Sequence, residues 1–317
     1  MLRGRLYEPD YRPKLSGHET FPLRYGWLKK AFDAVSASAE YEQKRSIFLA
    51  EDAIARFGVG KNMVASMRHW ASAVGIIDDS HGQASPTPLG VRLFDDDGLD
   101  PFMEDPATTW LIHWNLCSSP FKTTWFWAFN HFPSESFHRE TLVKGLEKLA
   151  KECGWARAST STIKNDVACF VRTYVPRLPS GKASHEDALE SPLTELGLIR
   201  PVGQRDGFRF LRGRKPTLSD GVFCYAVAQF WSRHTTAQTL SFEALAHEPG
   251  SPGRVFLLDE NALADRLFEL DRISDGCFRW SETAGLKQLI RERDFSTEET
   301  LSFIDADYLP HSNRDAA

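Results

Sequence analysis

The stretch "GVGKNMVASMRHWASAVGII" at residues 58–77 sets a glycine-rich turn directly before a helical pattern, and it predicts the fold of the N-terminal part. On a helical wheel of about 100° per residue, its large apolar side chains share one arc. The polar side chains on the opposite arc and its flanks are Lys61, Asn62, Ser66, Arg68 and His69. This polar side carries no carboxylate. A surface that contacts phosphate benefits from the absence of acid, so the pattern favours DNA contact.

The neighbouring segments extend this pattern to a known motif. Two shorter helical patterns precede residue 58, and the polar, glycine-containing "DDSHGQASPTP" at residues 78–88 suits the tip of a hairpin. Helix, helix, tight turn, helix and hairpin is the order of a winged helix-turn-helix. In that motif Asn62, Ser66 and His69 would reach base edges, and Lys61 and Arg68 would hold phosphates. The alternative is a winged helix that binds another protein.

A second candidate recognition helix lies in "STSTIKNDVACFVRTYVP" at residues 159–176. Its serines and threonines can cap the helix, and its apolar residues share one arc. The opposite arc carries Asn165 and Arg172, with Lys164 at its edge, and these three polar residues could contact nucleic acid. The likeness to the first helix is short, and helical patterning alone can produce it.

A basic ribbon is predicted in the segment at residues 191–220, which reads as two strands around a turn at 203–207. Residues 200–215 carry six Lys or Arg against one Asp. The candidates for phosphate contact in this ribbon are Arg209, Arg212, Arg214 and Lys215. The alternative is a solvated edge strand that its charges protect from aggregation. Residues 241–317 carry sixteen Asp or Glu against eight Lys or Arg, which argues against DNA contact there.

The fold class expected from these patterns is mainly α, with winged helix-turn-helix-like units and short antiparallel hairpins. The 317 residues, 42% of them hydrophobic, allow several cores, and we predict domains at 1–100, 101–190 and 191–317. The very aromatic "TTWFWAFNHFP" at residues 123–133 fits a buried core better than a base-stacking platform. No apolar run approaches the ~20 residues of a membrane span, so a cytoplasmic protein is expected. Five widely spaced cysteines without a C-x-x-C pair argue against disulfides and cysteine zinc sites.

Catalytic motifs are sparse. The chain contains no H-E-x-x-H, P-loop or G-x-G-x-x-G pattern. In "SGHETFP" at residues 16–22, adjacent His18 and Glu19 could serve proton transfer beside the cations Lys29 and Lys30. The alternative is a structural turn. The acidic "FDDDGLDPFMED" at residues 94–105 does not fit a calcium loop, because Leu93 would fall on the first ligand position, and Asp105 is expected to cap a helix.

Several stretches together resemble the bacterial DUF4007 family, over about residues 15–288. They include "SGHETFPLRYGWLKKAFDAV", "GVGKNMVASMRHWA", "DPFMEDPATTWLIHWNL", "STIKNDVACFVRTYVP" and "SPGRVFLLDENALADRLFEL". Members of this family are similar to the nicking component of the single-stranded DNA phosphorothioation system, the Ssp defence module. The resemblance implies DNA strand nicking, assisted by Mg²⁺ or Mn²⁺, beside a cysteine desulfurase, an ATPase and a PAPS-reductase-like enzyme. It assigns no catalytic residues.

Three functions are therefore open at this point. The first is a DNA-binding, metal-dependent nickase of phosphorothioation and phage defence. The second is a non-catalytic DNA-binding adaptor or transcription regulator, which the weak catalytic motifs favour. The third is a protein-binding scaffold, which would neither bind nor cut DNA.

Overall fold

Helices make up most of the regular structure in a computed structural model of the chain. The structure describes residues 4–39, 47–80, 82–156, 158–176, 191–203, 206–283 and 285–308. Within these ranges the sheets are small, and their strands pair antiparallel. The expectation of a mainly α fold with short antiparallel hairpins is confirmed. The assignment of winged-helix units stays a prediction, as does the division into three domains.

The N-terminal part holds the helix that the opening stretch predicts. Its elements are α1 (Trp27–Ala39), α2 (Ala53–Phe57), α3 (Lys61–Ala73), β1 (Ile77–Asp78), β2 (Ser85–Pro86) and α4 (Pro88–Phe94). Gly58 ends α2 with a left-handed φ of 65°, a conformation that glycine adopts without steric cost. Gly60 then caps α3, so the turn between the two helices is as short as the sequence suggests.

One predicted helix begins later than expected. The apolar spacing at residues 21–35, with Pro22 suited to a first helical turn, predicts a start near Pro22, but α1 begins at Trp27. Gly26 has a φ of 74°, which breaks a continuous helix at this point. The backbone before it is instead bound by helices from elsewhere in the chain, since Phe21 O accepts from Trp70 Nε1 at 3.0 Å.

The middle and C-terminal parts complete the molecule. The middle elements are α5 (Pro106–Cys117), α6 (Thr123–Asn130), β3 (Ser136–His138), α7 (Arg139–Glu152) and α8 (Thr160–Tyr174). The C-terminal elements are β4 (Ile199–Val202), β5 (Gly207–Phe210), α9 (Asp220–His234), β6 (Thr239–Ser241), α10 (Phe242–His247), α11 (Pro252–Val255), α12 (Glu260–Ile273), β7 (Phe278–Thr283), β8 (Leu286–Arg291) and α13 (Thr297–Ser302). The strand orders are β3-β5-β4 and β6-β8-β7. The ribbon predicted at 191–220 is the β4–β5 hairpin, with Pro201 on the edge strand as expected.

Aromatic side chains fill the interior. Five tryptophans are completely buried: Trp70, Trp110, Trp114, Trp125 and Trp231. The aromatic stretch at 123–133 forms α6, and every residue of that helix is buried. This placement confirms the prediction of core for that stretch and excludes a surface platform for base stacking. No helix in the described ranges is long and apolar enough to cross a membrane.

A short 3₁₀-helix, Asp305–Tyr308, contacts both α9 of the C-terminal part and α4 of the N-terminal part. The buried carboxylate of Asp307 accepts from the amides of Gly221 and Val222 at 3.0 and 2.8 Å, at the start of α9. These amides have no partner within their own helix, so Asp307 satisfies them. On the other side, Arg92 of α4 forms ion pairs with Asp305 and Glu298.

Candidate nucleic-acid cleft

A cleft of about 1180 Å³ runs along the polar side of α3. Its lining also includes residues of the turn at 16–19, of the segment at 48–54 and of β1. We call it the α3 cleft. Among the described residues, the charged side chains and the one histidine that line it are Lys14, Glu19, Glu51, Lys61, Arg68, His69, Asp78 and Asp79. Two predicted candidates, the helix and the "SGHETFP" turn, therefore meet in one place although about 40 residues separate them in sequence.

The polar side of α3 is only partly exposed. Lys61 and Asn62 are exposed at the start of the helix, where the predicted DNA contacts would lie. Ser66 differs from the expectation, because its side chain is fully buried and its Oγ donates to His18 O at 2.9 Å. The wheel placed Ser66 at a flank, and the "SGHETFP" turn packs on that flank and covers it.

Arg68 and His69 are also engaged with their surroundings. Arg68 forms an ion pair with Asp79, with Nη2 and Oδ2 at 2.5 Å, and it is largely buried. The ring of His69 is half-buried, and its Nε2 has no hydrogen-bond partner among the described residues. Burial lowers the pKa of His69 well below its usual value, and the nearby charge of Lys122 adds to this effect. Burial therefore favours the neutral form of His69, and its unpartnered Nε2 atom is shielded from solvent.

The charges in the α3 cleft are mixed. The helix itself carries no acid, as its sequence shows, but Glu19, Glu51, Asp78 and Asp79 enter the cleft from neighbouring segments. The cations Lys14, Lys61 and Arg68 line the same cleft, and Arg68 pairs with Asp79. This arrangement is less cationic than the sequence of α3 alone implies. Carboxylates beside cations suit chemistry on a phosphodiester better than simple attraction of a duplex.

The "SGHETFP" turn has an unusual backbone. Gly17 has a φ of 103°, and a Cβ at this position would lie 2.5 Å from His69 Nδ1, so only glycine fits. Glu19 and Thr20 also have positive φ values, 46° and 65°. Both side chains are exposed, and Glu19 lines the α3 cleft. The turn therefore presents Glu19 to the cleft at the cost of backbone strain.

His18 points away from the cleft into the interior. Its side chain is 3% exposed, and its Nε2 lies 2.7 Å from Asp166 Oδ1. Lys122 Nζ lies 3.3 Å from the same oxygen, and both Lys122 and Asp166 are fully buried. The sequence singled out neither residue. Asp166 sits on the arc of α8 that packs inward, and Lys122 precedes α6 in an aromatic segment, so no local pattern marks them.

The second candidate helix, α8, has some of its predicted polar residues exposed and another in contact with the turn at residue 20. Ser159 caps it as predicted, accepting from Thr162 N at 3.2 Å. Lys164 and Asn165 are exposed, as their prediction requires. Arg172 instead donates from Nη1 to Thr20 O at 3.0 Å, so it binds the strained turn.

The cations of the predicted ribbon are occupied by protein groups. Arg209 pairs with Glu135 at 3.0 Å and Arg214 with Asp265 at 2.8 Å. Arg212 donates to Leu258 O at 2.9 Å. Lys215 is buried, and its ammonium donates to three backbone carbonyls; burial lowers its pKa to about 8. Lys215 thus stabilises the fold here and does not face a nucleic acid.

The remaining predicted cations lie on α1. Lys29 donates to Phe94 O at 3.0 Å and pairs with Asp33 at 2.7 Å, whereas Lys30 is exposed. Neither residue lines the α3 cleft.

The acidic segment at 94–105 serves the fold. Asp105 caps α5 as predicted, accepting from Ala107 N at 2.8 Å. Asp100 is buried and accepts from Glu104 N and from Thr108 Oγ1. Across the described ranges, no three His, Cys, Asp or Glu side chains come together as a metal site.

Comparison with known proteins assigns the chain to a family. The family described as "Protein of unknown function (DUF4007)" matches residues 15–308, and the chain belongs to it. Among solved structures, the chain is similar to a magnesium ion-bound crystal structure of SspB. The TM-score is 0.83 at 32% identity, over 96% of this chain and 90% of that one. Another SspB crystal structure gives a TM-score of 0.79 at 32% identity, over 92% and 87%. No protein of curated function matches.

Proposed function

We propose that this protein binds DNA in the α3 cleft and nicks one strand, as part of a bacterial phosphorothioation and phage-defence system of the Ssp type. The observation that carries the proposal is that Glu19 and Lys61 both line one cleft, in a chain that resembles SspB over nearly its whole length. DNA as the substrate places the protein in the cytoplasm.

Nicking requires a nucleophile and stabilisation of charge on the phosphoryl oxygens. The exposed carboxylate of Glu19 can accept a proton from an attacking water molecule. Lys61 and Lys14, which line the cleft, can hold the phosphate through charge. Arg68 is matched by Asp79 and is less available.

A divalent metal is part of the proposal because a similar SspB structure contains magnesium. The described residues of this chain do not form a site of three metal-ligating side chains, so they do not fit a metal held by the protein alone. We therefore assign no step to a metal. The dependence on Mg²⁺ or Mn²⁺ is tested directly below.

The nickase is tested with supercoiled plasmid. Purified protein is incubated with plasmid and Mg²⁺ or Mn²⁺, and open-circle product is measured on a gel. We expect open circles with metal and none after chelation with EDTA. The assay is run with and without the proteins proposed as partners, which are the cysteine desulfurase, the ATPase and the PAPS-reductase-like enzyme. If neither condition gives more open-circle product than a mock preparation, the proposed nicking activity is wrong.

A second candidate is a non-catalytic DNA-binding adaptor or transcription regulator. The lack of an assembled metal-ligating cluster in the described residues favours it. A gel-shift titration with salt distinguishes the two functions. Binding that weakens steeply with salt, without nicking at any metal tested, would support the adaptor.

Substitution of Lys61 tests where DNA binds. Lys61→Glu replaces an attraction to phosphate by a repulsion, so we expect several-fold weaker binding and a salt slope smaller by about 1. Lys61 is a cleaner target than Arg68, whose loss also breaks the ion pair with Asp79. Fluorescence anisotropy with labelled duplex measures both quantities. Lys148→Glu is the matched control, because Lys148 is exposed on α7 outside the cleft. If Lys61→Glu and Lys148→Glu weaken DNA binding equally, the α3 cleft is not the DNA-binding site.

A further inference from the structure

The turn that carries Glu19 is strained and needs support. Thr20 is β-branched, and a φ of 65° is rare for such a residue; Glu19 at 46° adds to the strain. Strain of this kind persists only where the surroundings impose it, and it concentrates at functional sites. The exposed side chains of Glu19 and Thr20 cannot impose it themselves.

The support comes from three elements that are distant in sequence. From α3, Ser66 Oγ donates to His18 O at 2.9 Å. From α8, Arg172 Nη1 donates to Thr20 O at 3.0 Å, and Asp166 binds the His18 ring. Just before α6, Lys122 binds Asp166. Glu19 thus lies between two residues that are held by distant elements, His18 through its carbonyl and ring and Thr20 through its carbonyl.

The contacts of His18 fix its protonation pattern. Thr20 N–H donates to His18 Nδ1 at 3.0 Å, so Nδ1 acts as an acceptor and carries no hydrogen. The hydrogen of the neutral ring then lies on Nε2, which donates to Asp166 Oδ1 at 2.7 Å. Both nitrogens are occupied, and the ring is buried among His69, Trp70 and Trp125. In this geometry His18 has no nitrogen left for the substrate.

Lys122 balances the carboxylate that holds His18. Its ammonium lies 3.3 Å from Asp166 Oδ1 and 4.8 Å from the centroid of the Trp125 ring. A buried charge pair costs desolvation and is weak evidence of stability by itself. Here the pair of Lys122 and Asp166 fixes the position of Asp166 Oδ1, the oxygen that accepts from the His18 ring.

We propose that His18, Asp166 and Lys122 form a buried holding unit that keeps the turn in its strained conformation and so positions the Glu19 carboxylate in the α3 cleft. His18 is then a positioning residue and not a proton-transfer group. Only the role of the positioned carboxylate rests on the proposed nickase. The holding itself is independent of that activity.

The test is a double-substitution cycle read by thermal unfolding. In the wild-type background Thr20→Gly removes strain, so we expect Tm to rise by about 2–4 °C. In the His18→Ala background the turn is no longer held and can leave its strained conformation. Adding Thr20→Gly to that variant should therefore leave Tm unchanged or lower it. An equal rise in both backgrounds would overturn the holding unit. If the His18→Ala variant does not fold, ¹⁵N NMR of the wild-type protein tests the proposal through the tautomer of the His18 ring. A hydrogen on Nε2 supports the holding unit, and a hydrogen on Nδ1 overturns it.

Nicking provides a separate readout. His18→Gln keeps a donor toward Asp166, so it should retain at least about tenfold more nicking than His18→Ala. If both variants are equally inactive while His18→Gln keeps the wild-type Tm, the ring acts on the substrate and the positioning role is wrong. If the wild-type protein itself does not nick, the proposed function fails, and the unfolding cycle alone decides the holding unit.

Discussion

Lys122→Met is expected to lower the free energy of unfolding by about 3–5 kcal/mol, the typical cost of removing one partner from a buried ion pair. Asp166 would remain fully buried with His18 as its remaining donor among the described residues, and one of its oxygens, Oδ2, already lacks a partner there. Urea unfolding followed by circular dichroism measures the loss. A change below about 1 kcal/mol would contradict the buried pair described here.

Two further variants make this prediction specific. Lys164→Met removes an exposed lysine from α8, the helix that carries Asp166, and should change stability by no more than about 0.5 kcal/mol. The double variant Lys122→Met with Asp166→Asn removes both charges but keeps an oxygen to accept from His18 Nε2. The double variant should therefore be more stable than Lys122→Met alone. If adding Asp166→Asn lowers the free energy of unfolding further, the destabilisation by Lys122→Met is not electrostatic.

Glu19→Gln should reduce the rate of nicking by about 10²–10⁴-fold, because the amide cannot accept a proton from the attacking water. The side chain is exposed and the shape is kept, so DNA affinity and Tm should stay near the wild-type values. The measurement is the initial rate of open-circle formation at saturating plasmid, together with a gel shift for binding.

Glu51→Gln is the matched control for this effect. Glu51 is exposed and also lines the α3 cleft, so its substitution makes the same change of charge in the same cleft. A large loss for Glu19→Gln and a small one for Glu51→Gln would assign the chemistry to the turn. Equal losses would indicate that only the total charge of the cleft matters.

Local features were predictable from the sequence. Five apolar residues recur at helical spacing in the sequence of α1, which puts them on one side of the helix, and all five are buried: Trp27, Leu28, Ala31, Phe32 and Val35. The caps Ser159 and Asp105 followed from residue type and position, because capping depends only on residues within one turn. The β4–β5 hairpin followed from its glycines and from alternation, with Arg209 exposed between buried Phe208 and Phe210.

Features that depend on distant packing were not predictable. A helical wheel shows which residues of α3 share a side, but it does not show what covers that side. Ser66 and Arg68 are therefore less available than the wheel implied, since the turn at residue 18 covers one and Asp79 pairs with the other. Asp166 is 148 residues from His18 in sequence, and no periodic pattern connects them.

The C-terminal 3₁₀-helix, Asp305–Tyr308, has a consequence for how the chain can be cut. Asp307 supplies acceptors to the first amides of α9, and Asp305 neutralises Arg92 near the end of the N-terminal part. A fragment that stopped after residue 100 would keep Arg92 but lose its acidic neighbours. A chain trimmed before residue 305 would expose the beginning of α9. Shortened versions made for crystallisation or for testing isolated pieces should therefore retain this last turn.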